Sequence, residues 1–422
     1  EHLTTMRPKA LPSCFAGACR RRRVATKAKT TYDVVICGGG AVGSSIALQL
    51  KLRDAALKVC VVERDPRFER CSATLSAGGL RQQFGLAENV ALSMYGAEWL
   101  QRGLREAVGE DFCDPCFREN GYLTLASARS QLAHATQLEA GAEWIRMLSA
   151  SELELRFPWL CSQGLEAGAF GERNEGFFDA HSLLRSTVAG AKRRGVHFLE
   201  AHVTRLHAEE NVLRHVETAD GQLIGGSTFA LAAGAGSRSL LEDVPVAPRL
   251  RSIFVVHCDD EARRPPSNCP LVVDPSGVYF RADDAPGRFL CGVSPPPDWP
   301  DPDVDAAGPL TVDYALFEDV VWPTLAHRVP AFESLKLQSA WAGLYEVHDL
   351  DHNALIGFHP RLANLLVAAG FSGHGLQHSP GVGRAVAELL TTGAYQTIDL
   401  APFSFERLRV EEGGGLREYA IY

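Results

Sequence analysis

The stretch YDVVICGGGAVGSSIALQLKLR, Tyr32 to Arg53, is a short apolar, β-branched run that breaks into Gly38-x-Gly40-x-x-Gly43 and then continues at helical spacing. A second apolar run, LKVCVVER, ends its strand at Glu63, twenty residues beyond Gly43. Strand, glycine turn, helix, second strand and terminal acid in this order make a dinucleotide-binding unit. Gly38 permits the tight turn, Gly40 lets backbone approach a pyrophosphate, and Gly43 lets the helix pack close to the strand. The helix N-terminus favours the anionic phosphates, and Glu63 accepts hydrogen bonds from ribose hydroxyls. The unit by itself suits NAD and FAD equally.

The chain beyond Glu63 separates the two. An NAD domain would usually continue with another strand–helix unit, whereas RDPRFERCSATLSAGGLRQQFG, residues 64–85, reads as a small-residue, hydroxyl-rich loop. A helix around Leu183–Arg194 leads into a strand at Val196–Leu206, a hairpin turning at Asp220-Gly221, and the strand STFALAAGAGS. Its Ala232-Ala233-Gly234 lets backbone approach a ligand again. Near the other end, LANLLVAAG meets a second glycine-rich turn, Gly370 to Leu376, followed by another helix. Nucleotide contacts in five separated segments suit FAD, a large cofactor that lies extended. The first turn takes the pyrophosphate. The second offers backbone N–H groups and a helix N-terminus to the flavin ring, where negative charge gathers on reduction.

Over residues 31–410 the chain resembles the D-amino-acid oxidase/sarcosine dehydrogenase family of FAD oxidoreductases, and within it a mitochondrial branch that assists assembly of respiratory complex I. The likeness rests on SAGGLRQQF, GYLTLAS, QSAWAGLYE, GFSGHGLQHSPGVGRAVAEL and YQTIDLAPFSF. It implies an α/β fold (α+β overall): a discontinuous Rossmann-type FAD-binding domain with a second, mixed-sheet substrate domain. The expected FAD-binding segments are 31–112, 171–244 and 336–410. The substrate-type segments are 113–170, with a helix around Ser130–Leu148, and 245–335, where CGVSPPPDWPDPDVDAAGP reads as a loop or lid. Residues 1–30 form a basic N-terminal arm and 411–422 a flexible C-terminal tail. Candidate FAD contacts are Gly38, Gly40, Gly43, Glu63 and Arg64, then Ser72, Ala73, Thr74, Gly78 and Gly79, then Val203, Ala233 and Gly234. Later in the chain they are Gly343, Gly370, Ser372, Gly373, His374, Gly375 and Leu376. His374 contributes backbone, with its ring either near the isoalloxazine or merely packed.

The family oxidises amines and hydroxy acids with little acid–base machinery. By that resemblance, Arg281 in GVYFRAD is the candidate clamp for a substrate carboxylate, because a planar guanidinium grips a carboxylate with two hydrogen bonds. The alternative pairs it with Asp283, Asp284 or another nearby acid. Tyr345 in WAGLYE is the candidate substrate-contacting aromatic, or a packed one. Some relatives anchor flavin through a Cys where Gly343 stands, others through a His where Ser76 stands, so FAD is expected to be non-covalent. Several use a lysine above the flavin to activate oxygen, yet residues 193–335 contain no lysine, which favours a dehydrogenase.

Composition bounds the partners. The net charge of −9 divides unevenly, with eight Lys/Arg against one acid in residues 1–30. The body is therefore strongly acidic, which excludes a nucleic-acid-binding function. No apolar run is long enough to span a bilayer, so membrane association is at most peripheral. The arm resembles a mitochondrial targeting segment, or is a disordered basic tail. Docked on another protein, it would bury Leu11, Phe15 and Val24. The eleven cysteines are irregularly spread, implying a reducing compartment and no disulfide framework. Cys113 and Cys116 lack companions at ligand spacing, so no metal site is expected. Two functions follow. One is an FAD-containing partner of respiratory complex I subunits on the matrix side of the mitochondrial inner membrane, as an assembly factor or retained peripheral subunit. The other is an FAD-dependent dehydrogenase of a small amino or hydroxy acid, passing electrons to a quinone or flavoprotein.

Overall fold

A computed structural model describes residues 31–128, 131–132, 134–409 and 416–419. The basic arm, with Leu11, Phe15 and Val24, lies outside the described residues. The elements that shape the site are, in chain order, β1 (Thr31–Cys37), α1 (Ala41–Arg53), β2 (Val59–Glu63), β3 (Leu223–Leu231), β4 (Val246–His257), β5 (Lys336–His348), β6 (Leu362–Ala369) and α2 (Gly375–Thr392). The first sheet runs Leu355–His359, β6, β3, β1, β2, His197–Glu200. From β6 to His197–Glu200 its neighbours are parallel, with Val35 opposite Phe229 and Cys60, and Ala230 opposite Leu366. The central strands are Val/Ile/Leu-rich because both faces are buried, as a parallel sheet requires.

α1 and α2 lie against each other on this sheet. A Cβ added to Gly383 would come 2.2 Å from the Ser45 hydroxyl oxygen and 2.7 Å from its carbonyl carbon. Only a residue without a side chain lets the two backbones approach so closely. Farther along, the buried Glu388 of α2 accepts from the N–H groups of Gln396 and Thr397, both at 2.8 Å, and lies 3.6 Å from Arg53 at the end of α1. The α1–α2 pair is therefore fixed by close packing at one place and by a carboxylate clasp at another.

The second sheet runs β5, β4, Arg288–Gly292, Tyr279–Ala282, Leu271–Val273, Tyr122–Ala126, Ala167–Gly171, Ile145–Ser149. Its core is aromatic, with Phe254, Phe280, Phe289 and Phe332 fully buried. β4 and β5 pair antiparallel from Val246↔His348 to His257↔Lys336.

Four expectations change. The return to the FAD domain placed at 336 falls after His348 instead, because β5 is bonded along its length to β4 in the second sheet. The helix around Ser130–Leu148 is a short helix, His134–Glu139, followed by the strand Ile145–Ser149. Gly141 sits at φ +90, and the chain leaves the helix there to pair Ile145–Ser149 with Ala167–Gly171. The strand at Val196–Leu206 is two strands. His197–Glu200 extends the parallel sheet beside β2, while Val203–Glu209 joins the hairpin strand Val212–Thr218. In the tail, Glu418 is docked on the body of the protein. The Glu418 side chain is fully buried, accepting from the Gly85 N–H at 3.0 Å and the Asn89 amide at 3.0 Å.

Burial opposes the charge on Glu388, yet hydrogen bonds from Thr397, Arg384 and the Gln396 N–H outweigh it and hold the carboxyl down at about 2, from an ordinary 4.5. A depressed folded pKa means the ionised form stabilises the fold above the ordinary value, and that this stability is lost as pH falls from about 4.5 towards 2. Glu388→Gln is expected to cost about 2 kcal/mol at neutral pH and to flatten the acid limb of the stability profile. Urea denaturation across the acid range checks both.

Candidate functional site

The parallel strands β1, β2, β3 and β6 end on one edge of their sheet, where ligands bind in open α/β folds. A cavity opens there, walled on its other side by β4, β5 and Tyr279 of the second sheet. The first glycine turn reaches it through Gly38, Gly40 and Ala41, and β2 through Glu63 and Arg64. Gly38 adopts φ +101, and a Cβ there would lie 2.3 Å from the Ala232 carbonyl oxygen, so the turn can nestle against the end of β3 only as glycine. Glu63 accepts from the N–H groups of Gly39 at 2.6 Å and Asp65 at 2.8 Å. A carboxylate has about four lone-pair sites, so acceptor capacity remains for ribose hydroxyls.

Loop residues Ser72, Ala73, Gly78 and Gly79 line the cavity, as do Ala233, Gly234 and Gly343. The second turn contributes Gly373, His374, Gly375 and Leu376, with the N-terminus of α2 at its edge. Gly40 and Gly236 face open space. A Cβ on Gly40 would meet only the Cys71 sulfur at 3.4 Å, and one on Gly236 would meet nothing within 4 Å. This is a cradle of backbone at two helix N-termini with an acid at the far strand end. It fits an extended dinucleotide carrying a pyrophosphate.

Five of the expected contacts do not line the cavity. Gly43 faces inward, a Cβ there falling 1.9 Å from the Gly38 carbonyl oxygen. It lets the helix sit on the turn. The Thr74 hydroxyl is spent on the carbonyls of Phe68 and Cys71, and Val203 is buried in the core beneath the sheet. Gly370 and Ser372 shape the second turn from behind, at φ +77 and +46. Such a serine is strained, and it is held by donation of the His348 N–H to its hydroxyl at 2.9 Å.

Arg281 is not the carboxylate clamp. Its Nε donates to the Ala77 carbonyl at 2.8 Å, one terminal nitrogen donates to the Ala282 carbonyl, and its guanidinium lies 4.5 Å from the Phe177 ring centre. Asp283 is 4.0 Å away. These partners draw the side chain out of the cavity, where it braces the loop that carries Gly78.

Arg251 and Arg81 line the cavity, as do Arg64 and Arg70. Arg251 of β4 pairs in register with Gly343 of β5, with its guanidinium 4.8 Å from the Tyr345 ring centre. Arg81 donates to the Gln83 carbonyl and lies 4.3 Å from the Phe84 ring centre and 3.4 Å from the His374 ring. Tyr345 lines the cavity as expected, but its hydroxyl donates to the Ser372 carbonyl at 2.6 Å. Burial raises its pKa, with Arg251 opposing, so the phenol stays protonated and braces the second turn.

Sequence reading also missed Glu346 and Glu175. Burial pushes the Glu346 carboxyl up to about 7, against the N–H groups of Gly370 and Phe371. It lines the cavity beside Gly234. Glu175, pushed by burial to about 8, accepts from the Gln82 N–H and the Gln83 amide and so supports the Arg81 segment from behind. Only the adjacency of Arg81 to the quoted SAGGL loop was a usable signal. Arg251 and Glu346 depend on the β4–β5 pairing, which no local pattern specifies. Gly343 has no side chain, and the Ser76 hydroxyl donates to the Ala73 carbonyl. Among the described residues, no lysine lines the cavity.

The model of the family described as FAD dependent oxidoreductase matches residues 33–389. The FAD-dependent oxidoreductase domain-containing protein 1 of Xenopus laevis is 39% identical over 426 residues, covering 90% of this chain and 83% of that protein. Among solved structures, L-proline dehydrogenase from P. horikoshii superposes with a TM-score of 0.76 at 24% identity, covering 90% of this chain and 99% of that one. Glycine oxidase from Geobacillus kaustophilus gives 0.70 at 22% identity, covering 89% and 98%. A cradle built for a dinucleotide, a second mixed sheet over its ring end, and a match along nearly the whole length agree: the chain belongs to the FAD-dependent oxidoreductase family and binds FAD.

Proposed function

We propose that the chain is an FAD-dependent dehydrogenase of a small amine or alcohol that bears a carboxylate. The observation that carries this reading is that Arg251 and Tyr345 line the same cavity as the two glycine turns. Bound FAD supplies the two-electron acceptor for a hydride from the carbon bearing the amine or hydroxyl. The protein's task is then to bind, orient and keep water out. The Arg251 fork offers two parallel donors to a carboxylate. Ile253, Leu271 and Val293 give that end of the cavity an apolar lining. The Tyr345 ring offers a face rather than a proton. FAD is held non-covalently in this reading, by the Gly38–Ala41 turn at the pyrophosphate and the Gly373–Leu376 turn at the ring.

A second reading, compatible with the first, is a mitochondrial partner of respiratory complex I on the matrix side of the inner membrane. Its support is the likeness to the Xenopus protein along 90% of the chain and the basic composition of residues 1–30.

Acid precipitation is expected to release all flavin into the supernatant, and yellow colour left on the pellet would overturn non-covalent binding. Gly40→Glu is expected to abolish FAD content, because a carboxylate would occupy the pyrophosphate's place and repel it. Under anaerobic mixing with a panel of amino and hydroxy acids, at least one should bleach the flavin. Arg251→Gln is then expected to lose roughly 2–5 kcal/mol of transition-state stabilisation with that substrate, and a wild-type kcat/KM in this variant would remove Arg251 from the site. For the second reading, native gels of mitochondrial extract should show co-migration with complex I, weakened by deleting residues 1–30 with FAD content unchanged. Migration as a free monomer, near 45.8 kDa, would exclude it.

A further inference from the structure

The Arg251 fork is engaged by a carboxylate of the protein itself. Its two terminal nitrogens donate to the two oxygens of Asp301 at 2.8 and 3.0 Å, the bidentate geometry a substrate carboxylate would adopt. Asp301 belongs to the Pro- and Asp-rich segment between Gly292 and Tyr314, which carries no regular secondary structure. Val293 and Ser294, at the start of that segment, line the cavity. Resting on the reading of this cavity as a carboxylate site, we propose that Asp301 is an internal stand-in for the ligand: a small carboxylate binds Arg251 by exchanging with Asp301 and loosens the stretch from Pro300 to Asp303.

The surroundings favour exchange over a permanent pair. Neither partner is deeply buried, the Asp301 side chain being 20% exposed and that of Arg251 15%, so the pair contributes modestly. Exchange of one carboxylate for another preserves the charge of the cluster. Arg249, which lies 3.2 Å from Asp301, also lies 3.3 Å from Asp349 on the body of the protein and keeps that partner when Asp301 leaves. The segment remains tied downstream, by the Val304 N–H to the Pro248 carbonyl at 2.8 Å and by Arg70 to the Gly308 carbonyl at 2.5 Å. Upstream, the Trp299 indole N–H donates to Asp313 at 2.9 Å and its ring packs against the core of the second sheet, so movement is confined to the stretch between these ties, Pro300 to Asp303. A neutral ligand has nothing to offer Arg251 in return for Asp301, so the internal carboxylate acts as a filter as well as a plug. Being tethered, it competes at a high effective concentration, and its occupancy lowers the apparent affinity of every external carboxylate by the fraction of time the fork is free.

The test uses the FAD-loaded protein with benzoate and acetate as probes and benzamide and acetamide as their neutral counterparts, read from the flavin absorbance. Asp301→Asn is expected to tighten benzoate and acetate about tenfold while leaving the amides unchanged, and Arg251→Gln to abolish the preference for carboxylate over amide. In the wild-type protein, benzoate is expected to speed cleavage by Asp-N protease between Pro300 and Asp303, an arm that needs no variant. Equal carboxylate affinity in wild type and Asp301→Asn, or cleavage indifferent to benzoate, would overturn the proposal. These readouts need no turnover. A protein that passes them and is bleached by no substrate loses the dehydrogenase reading alone, and one that is bleached but fails them loses the exchange alone.

Discussion

The contact on which the site depends is the one between α1 and α2, where Gly383 admits Ser45 at a distance no side chain would allow. Each helix begins at a glycine turn, and each turn follows a parallel strand of the same sheet. With β3 between β1 and β6, the two turns and Ala232–Gly236 emerge side by side on one edge. The helix pair sets how far apart their N-termini stand. One extended ligand can therefore lie under both positive ends at once, with Glu63 beyond the first. A small error in helix spacing would reach the ligand undiminished, because a packed interior is too dense to absorb it.

Several polar side chains that look chemical from their position turn out to hold backbone in place. Tyr345 fastens the Ser372 carbonyl, Arg281 fastens Ala77, and Glu175 fastens the segment at Gln82. Arg281 and Glu175 meet a wall of the cavity from outside, while Tyr345 lines it. The second turn needs such support because Gly370, Ser372 and Gly373 all lie at positive φ, a conformation that a serine reaches only when its surroundings insist on it. What faces the ligand is then mostly main-chain N–H, apolar surface and arginine side chains. That lining suits binding and orientation far better than proton transfer.

The dinucleotide unit was legible from Tyr32 to Glu63 because its strand, turn and helix are local and each residue type answers a local demand. The second glycine turn was legible for the same reason. Legibility fell wherever the answer lay in pairing between distant segments. Lys336–His348 was assigned to the FAD domain because it adjoins β6 in sequence, yet its hydrogen bonds go to Val246–His257, almost a hundred residues earlier. The same pairing puts Arg251 opposite Gly343, so the misplaced boundary and the overlooked Arg251 have one cause. Arg281 looked equivalent by its place after Tyr279. Its fate was decided by a carbonyl at Ala77 and a ring at Phe177 that no spacing could reveal.

The parallel sheet is assembled from both ends of the chain: β1 and β2 are made first, β3 much later, and β6 with α2 almost last. During vectorial synthesis, then, the early half of the sheet waits on the ribosome with the β1 edge and the inner face of α1 uncovered. The clasp on the flavin ring does not exist until α2 has emerged and Gly383 has seated on Ser45. On this order the second half of the cradle becomes available to a cofactor only after α2 has been made. The nascent apolar edge, rather than the finished surface, is what a chaperone would have to guard.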